Sequence, residues 1–224
     1  MNAAPANIAA YCDVDGTLTD TNIVTPLVWM KQRALRAPWN TLWLASLAAR
    51  GPWWWTLDQF SRSASNRAIY SNYRGVAVEL LHELGESYYR ERIRPRLFPG
   101  AQQRLADWRR EGIRIVLVTG GLDVFMEPMA REFAADCIAP GLEVRDGRYT
   151  GRLKTVPLTG AEKARRLREH AAAHNVDLSN SLALGDAIGD LPMLECVGRP
   201  VAVNPDSRLS KIATARSWQV EMWR

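Results

Sequence analysis

The sequence predicts an α/β protein, built on an open parallel sheet with a helical insertion directly after its first strand. Three observations carry this. Short apolar runs at residues 8–12, 113–118, 181–184 and 201–203 lack polar alternation, as parallel strands covered on both faces do. Amphipathic helical stretches lie between the later runs, giving strand and helix in turn. Residues 22–95 break that rhythm, with no clear strand and many helix-compatible stretches.

In chain order, the run at residues 8–12 ends in two acids one residue apart, Asp13 and Asp15, followed by Gly16 and Thr17. Side chains two apart on a strand point the same way. Two such acids repel and are costly to desolvate unless a cation lies beside them. An Asp-Gly pair also begins turns, so at this point a cation site and a plain turn both stand. Within residues 22–95, Ile69, Tyr73, Val76, Leu80, Leu84 and Tyr88 recur at helical steps and predict one buried helix face. Gly75 marks a kink or a break in it. Arg94-Pro95 and Phe98-Pro99-Gly100 form a return linker.

Residues 101–111 read as an amphipathic helix that Gly112 ends at its C′ position. The next strand, 113–118, stops at Thr119-Gly120-Gly121, with a helix expected over 122–133 and a short strand over 137–139. Residues 143–150 read as a hairpin around Asp146-Gly147. Thr159 and Glu162 have capping-box spacing and open a helix to about residue 174, placing Lys163 in its first turn. Strand 181–184 ends at Gly185-Asp186. Asp190 stands where it caps a helix over 192–196. The last core strand expected, 201–203, ends at Asn204-Pro205, a turn pair.

The length of 224 residues suffices for one core plus a smaller appendage. The expected division is a core of residues 1–21 and 96–224, with a helical cap of residues 22–95. Cys12, Cys137 and Cys196 make neither a disulfide framework nor zinc-ligand spacing, which suits a reducing cytoplasm. Cys12 reads as a buried, unreactive thiol. No basic region precedes the first apolar run, so no secretory signal is expected. The uncharged run at 37–49 is too short to span a bilayer. The net charge of +5 lies wholly in the cap segment, where ten Lys or Arg face five Asp or Glu; the rest holds nineteen of each. No aromatic-and-basic recognition motif appears, so no nucleic-acid partner is expected. The positive segment suits an anionic small molecule or an anionic lipid surface. His82, His170 and His174 have surface or structural roles by default.

In open parallel sheets, ligands bind at the carboxyl ends of the strands. Those ends carry Asp13 and Asp15, Thr119 and Gly120, Asp186 with Asp190, and Asn204; Lys163 joins them from a helix N-terminus that favours anions. Carboxylates, a hydroxyl, backbone N–H groups and one lysine are equipment for holding a divalent cation beside a phosphate. An oxygen-only ligand set suits Mg²⁺.

The ordered set Asp-x-Asp-Gly-Thr-Leu, strand-Thr-Gly, Lys, and Gly-Asp-x-x-x-Asp resembles the haloacid dehalogenase superfamily of hydrolases. The insertion after the first motif and the run from Gly185 to Leu194 resemble its phosphoserine-phosphatase-like branch. The resemblance implies a Rossmann-like parallel core and a Mg²⁺-dependent phosphatase. It implies Asp13 as the nucleophile that forms an aspartyl-phosphate, and Asp15 as acid and then base. Thr119 and the Gly120 amide hold the phosphoryl oxygens, and Lys163 offsets charge. Asp13, the Asp15 carbonyl, Asp186 and Asp190 make the metal site. The physics agrees: a carboxylate attacks an anionic phosphate only once cations neutralise both. A dehalogenase has no need of Asp15 or Asp186, and an ion-pump relative carries threonine at the Asp15 position.

Three departures bear on substrate. Asn22 stands where phosphoserine phosphatases carry a glutamate that grips the serine ammonium, Gly16 replaces a common serine, and so does Ala187. Expected substrates are a small anionic organic phosphate or a lysophospholipid-like lipid phosphate. Six of the nine tryptophans lie between residues 29 and 55. Trp39, Trp43 and Trp53 to Trp55, beside Lys31, Arg33, Arg36 and Arg50, resemble interfacial anchors for peripheral membrane contact. The competing readings are a small cap core or a dimer contact. A phosphoserine phosphatase, a phosphotransferase of the same fold and a non-catalytic phosphate-binding protein are the alternative functions, and oligomeric state stays open.

Overall fold

The computed structural model describes residues 7–35 and 37–224, leaving out the side chains of 48, 50, 52–60 and 62. The expectations for residues 1–5, for Arg36, and for the Arg50 and Trp53 to Trp55 side chains therefore fall outside the described residues. From β1 (Ala9–Cys12) the chain enters the insertion, which holds α1 (Thr25–Ala34), α2 (Trp39–Phe60), α3 (Arg62–Tyr70) and α4 (Val78–Tyr88). It returns through α5 (Pro99–Glu111) to β2 (Arg114–Val118), α6 (Asp123–Phe133), β3 (Asp136–Ile138) and the pair β4 (Leu142–Arg145) and β5 (Arg148–Leu153). Then follow α7 (Ala161–Ala173), β6 (Leu182–Gly185), α8 (Leu191–Leu194), β7 (Arg199–Val203), α9 (Ser207–Ala215) and β8 (Gln219–Glu221).

Six strands form one parallel sheet in the order β3-β2-β1-β6-β7-β8, and β4 pairs antiparallel with β5. β1 lies between β2 and β6, with Ala10 opposite both Ile115 and Leu182. Both of its faces are covered, which is why its run shows no polar alternation. Ala10 and Cys12 pack into a cluster shared with the insertion, while Ala9 and Tyr11 pack into one formed with α7 and α9. Strand order reverses at β1, the place where open sheets form their crevice.

The two ends of the insertion meet. Phe98 N–H donates to the Leu18 carbonyl at 2.9 Å, and Thr19 bridges Leu97. Inside it, Leu27, Met30, Tyr73, Leu81 and Tyr88 bury against core residues such as Phe125 and Met129. Tyr73 and Tyr88 set their rings on Phe125 at 6.1 and 5.4 Å. Gly85 lets α4 approach α6: a Cβ there would lie 2.4 Å from the Val124 carbonyl oxygen.

Several sequence expectations need correction. The stripe from Ile69 to Tyr88 is not one helix face, because the chain breaks at Gly75 (φ +81°) and α4 starts afresh at Val78. The new phase buries Leu81 and leaves Leu80 40% exposed. The Thr159–Glu162 capping box does not form. The chain turns at Gly160 (φ +49°), and the Glu162 carboxylate pairs with Arg165 instead. Asp190 precedes α8 without capping it, its carboxylate being drawn elsewhere. β8 lies beyond the last strand expected; as a polar edge strand it carries no apolar run. The turn at Asp146-Gly147 has φ of +49° and +69°, the hairpin geometry that pair favours.

Candidate active site

The C-terminal ends of β2, β1 and β6 adjoin, so Gly120, Asp13 and Asp15, and Asp186 come to one edge of the sheet. There they line a cavity of about 630 Å³ between the sheet edge and the insertion, joined by Lys163 from the first turn of α7 and by Asp190.

At its centre the Lys163 ammonium donates to Asp13 Oδ1 at 2.5 Å and to Asp190 Oδ1 at 2.7 Å. All three residues are buried. Burial alone would lower the Lys163 pKa, but the two carboxylates outweigh it and hold the ammonium protonated. Burial pushes the Asp13 carboxyl well above its usual range against the pull of Lys163, and Asp190 and Asp186 push the same way. Burial, helped by Asp190, raises Asp186 to about 6. Burial is the leading cause of both carboxyl shifts, and the clustering of Asp13, Asp190 and half-buried Asp186 around one ammonium adds to it. The ligand oxygens of Asp13, Asp186 and Asp190 lie within 4.8 Å of one another. An all-oxygen, negatively overcharged set of this kind fits a hard divalent cation such as Mg²⁺.

Asp15 faces the insertion side of the same cavity. Burial raises its pKa, while the Thr21 hydroxyl, donating to Oδ1 at 2.7 Å, and Lys163 oppose the shift. Thr119 is fully buried; its Oγ1 accepts from the Gly121 N–H at 2.9 Å, leaving the hydroxyl proton to donate. Gly120, not Thr119, lines the cavity, and its carbonyl accepts from the Tyr70 hydroxyl of α3. Asn204 lies outside the cavity lining, its Oδ1 accepting from the Trp223 N–H at 2.8 Å.

Sequence reasoning missed several supporting groups. The Thr17 hydroxyl lies 2.9 Å from Asp13 Oδ2 and 3.3 Å from Asp186 Oδ1. Gly16 (φ +91°) gives Asp186 its place, since a Cβ there would meet Asp186 Oδ2. Asp206 caps α9 through Oδ1 and accepts from the Ile188 N–H through Oδ2, tying down the loop after Asp186. The position of Asp206 before an apolar-periodic run was a readable cap signal; the threonine hydroxyls carried none.

Other candidates fall away from the site. His170 bridges the Tyr11 hydroxyl and the Asp136 carboxylate, both at 3.1 Å, far from Lys163 in role and partners. Burial pushes the Cys12 thiol up, so it stays protonated. Trp29 is buried against Tyr88, and Trp43 is half-buried with the Lys31 ammonium over its ring, whereas Trp39 is 67% exposed. Arg33 stacks on Trp29 and pairs with Glu91. No helix among the described residues is long and apolar enough to cross a membrane.

The model of the haloacid dehalogenase-like hydrolases matches residues 10–195, from the strand before Asp13 to beyond Asp190. The chain belongs to that family. Among curated relatives of this family member, phosphoserine phosphatase SerB1 of Mycobacterium tuberculosis is 31% identical over 163 residues, 72% of this chain and 53% of that protein. The chain spans about half the length of the curated relatives it matches. A crystal structure of a protein with unknown function from Bordetella pertussis aligns at TM-score 0.84 and 28% identity, covering 97% of this chain and 99% of that one. A substrate-bound phosphoserine phosphatase complex aligns at TM-score 0.69 and 16% identity over 99% and 95% of the two chains, a likeness of fold.

Proposed function

We propose that this haloacid dehalogenase-like hydrolase is a Mg²⁺-dependent phosphomonoesterase working through an aspartyl-phosphate on Asp13. The observation that carries the reading is the buried Lys163 ammonium bridging Asp13 and Asp190 on the wall of a cavity that Asp15 also lines. Asp13 attacks phosphorus and the bond to the alcohol oxygen breaks. Asp15, whose pKa burial raises, gives a proton to the leaving oxygen. Asp15 then takes a proton from water, which attacks the phosphoryl group and returns Asp13 and free phosphate. The Gly120 N–H holds phosphoryl oxygens, buried Thr119 braces that turn through the Gly121 N–H, and Lys163 offsets the charge gathered there.

Asp13, Asp186, Asp190 and the Asp15 carbonyl are the groups that would hold the ion. Mg²⁺ bound by them supplies positive charge that lowers the repulsion between a carboxylate and a phosphate dianion. Residues 22–95 act as the cap that selects the substrate, and the names of the relatives support a phosphorylated small molecule. A lipid phosphate met at a membrane surface is a second reading, favoured by Trp39 and Leu42, which are 67% and 56% exposed at the start of α2.

The test is phosphate release from p-nitrophenyl phosphate. Mg²⁺ is expected to support turnover and Asp13→Asn to abolish it. Full activity in EDTA, or in Asp13→Asn, contradicts the reading; transfer to an added alcohol rather than water makes the enzyme a phosphotransferase.

A further inference from the structure

The cavity wall supplied by the insertion differs from the charged edge opposite it. Among the described residues, no charged side chain of 22–95 lines the cavity; Ile23, Val24, Leu47 and Ile69 do, with Leu158 of the core. Asn22 adds no charge, and its amide oxygen is already committed. Oδ1 accepts from the Val24 and Thr25 N–H groups at 3.0 and 3.2 Å, closing the turn that leads into α1. Asn22 therefore has no carbonyl left for an ammonium group.

Two largely buried residues on this wall turn polar side-chain atoms to the cavity, and neither side chain has a hydrogen-bond partner among the described residues. Asn66 is 5% exposed and Ser65 is 3% exposed, and both line the cavity from α3. An amide and a hydroxyl held on largely buried residues, open only to the cavity and unclaimed by the protein, are placed to pair with a ligand atom there. The Asn66 amide sits over the phosphate-binding turn: a Cβ built on Gly120 would lie 3.9 Å from Asn66 Nδ2. One helical turn along α3, the Tyr70 hydroxyl donates to the Gly120 carbonyl and fixes that placement.

We infer that Asn66, with Ser65, is the specificity-determining pair, and that the substrate is the phosphate ester of an uncharged alcohol. Its body is partly apolar, and it carries a hydroxyl or ester oxygen within a carbon or two of the phosphate-bearing carbon. This rests on the phosphomonoesterase reading and names the substrate class of the same site. The apolar wall takes the alcohol body, and the amide and hydroxyl take its oxygen. An amino-acid phosphate is rejected because its ammonium and carboxylate would lose water and, among the described residues, meet no opposite charge on this wall.

Binding separates this inference from the chemistry. Titration calorimetry on full-length Asp13→Asn with Mg²⁺ would compare glycerol 1-phosphate, hexyl phosphate and phosphoserine. Both neutral-alcohol esters are expected to bind at least about 100-fold more tightly than phosphoserine, the penalty for stranding buried charge. In a background also carrying Asn66→Ala or the near-isosteric Asn66→Leu, the preference for glycerol 1-phosphate over hexyl phosphate should fall about tenfold, one buried hydrogen bond's worth. Equal binding of phosphoserine, or equal losses for both neutral esters, overturns the inference. Phosphate release from p-nitrophenyl phosphate by the wild type, read alongside, reports separately on whether the phosphatase reading itself holds.

Discussion

The Lys163 ammonium lies 2.5 Å from the Asp13 carboxylate, in a cluster with buried Asp190 and half-buried Asp186. Nothing about fold stability calls for that arrangement. Burying an ammonium with carboxylates that outnumber it costs desolvation free energy that an apolar core would avoid. The pair is intelligible as a device for holding a nucleophile against an anion.

Lys163→Met keeps most of the stem and removes the charge. The turnover number should fall about 10²- to 10³-fold, the usual cost of deleting one group that stabilises transition-state charge. Lys163→Arg should not restore it, because a planar guanidinium does not fit a buried point-charge site. Steady-state kinetics on folded variants reads both, and wild-type turnover in Lys163→Met would remove Lys163 from the account.

Mg²⁺ affinity should depend on pH with a definite sign. A ligand carboxylate must be ionised, and burial holds Asp186 at about 6. Affinity is therefore expected to rise as pH climbs through about 6. One unit below that value the Mg²⁺ activation constant should be about tenfold weaker. An activation constant that stays flat from pH 5 to 8 would show that Asp186 is no ligand.

Tyr70→Phe deletes the hydroxyl that ties the insertion to the Gly120 carbonyl. A loss of about 1 kcal/mol is expected in urea unfolding, with the denaturant dependence unchanged. No loss would mean that the hydroxyl bonds equally well to water.

Gly85→Ala is a packing test. Alanine ordinarily gains about 1 kcal/mol over glycine inside a helix. Here its Cβ would fall 2.4 Å from the Val124 carbonyl oxygen, so α4 and α6 must separate. Net destabilisation of about 1–3 kcal/mol follows, and a more stable Gly85→Ala variant would refute the close helix contact.

The sheet and the acids at its edge were legible because both depend on local chemistry: apolar runs read as covered strands, and Asp13, Asp15 and Asp186 each follow the end of one. What escaped reading depends on tertiary placement. Gly75 signalled a kink or a break in the stripe through Leu80, but periodicity is blind to the phase in which the helix restarts after it. Thr159 and Asp190 matched cap patterns, but the φ of Gly160 and the pull of Lys163 took their groups elsewhere. Thr17 could not be distinguished from a turn residue until Asp186, 169 positions later, was seen beside it. Ser65 and Asn66 carry no motif, and only the cavity reveals them.

The central claim is that Asp13 itself carries the phosphoryl group. Acid quenching during turnover, followed by borohydride reduction and peptide mass spectrometry, reads this directly, because an acyl phosphate is reduced to an alcohol at the residue that bore it. Conversion of Asp13 to homoserine is predicted, dependent on both substrate and Mg²⁺. Steady turnover with Asp13 unmodified in every quenched sample would contradict the account.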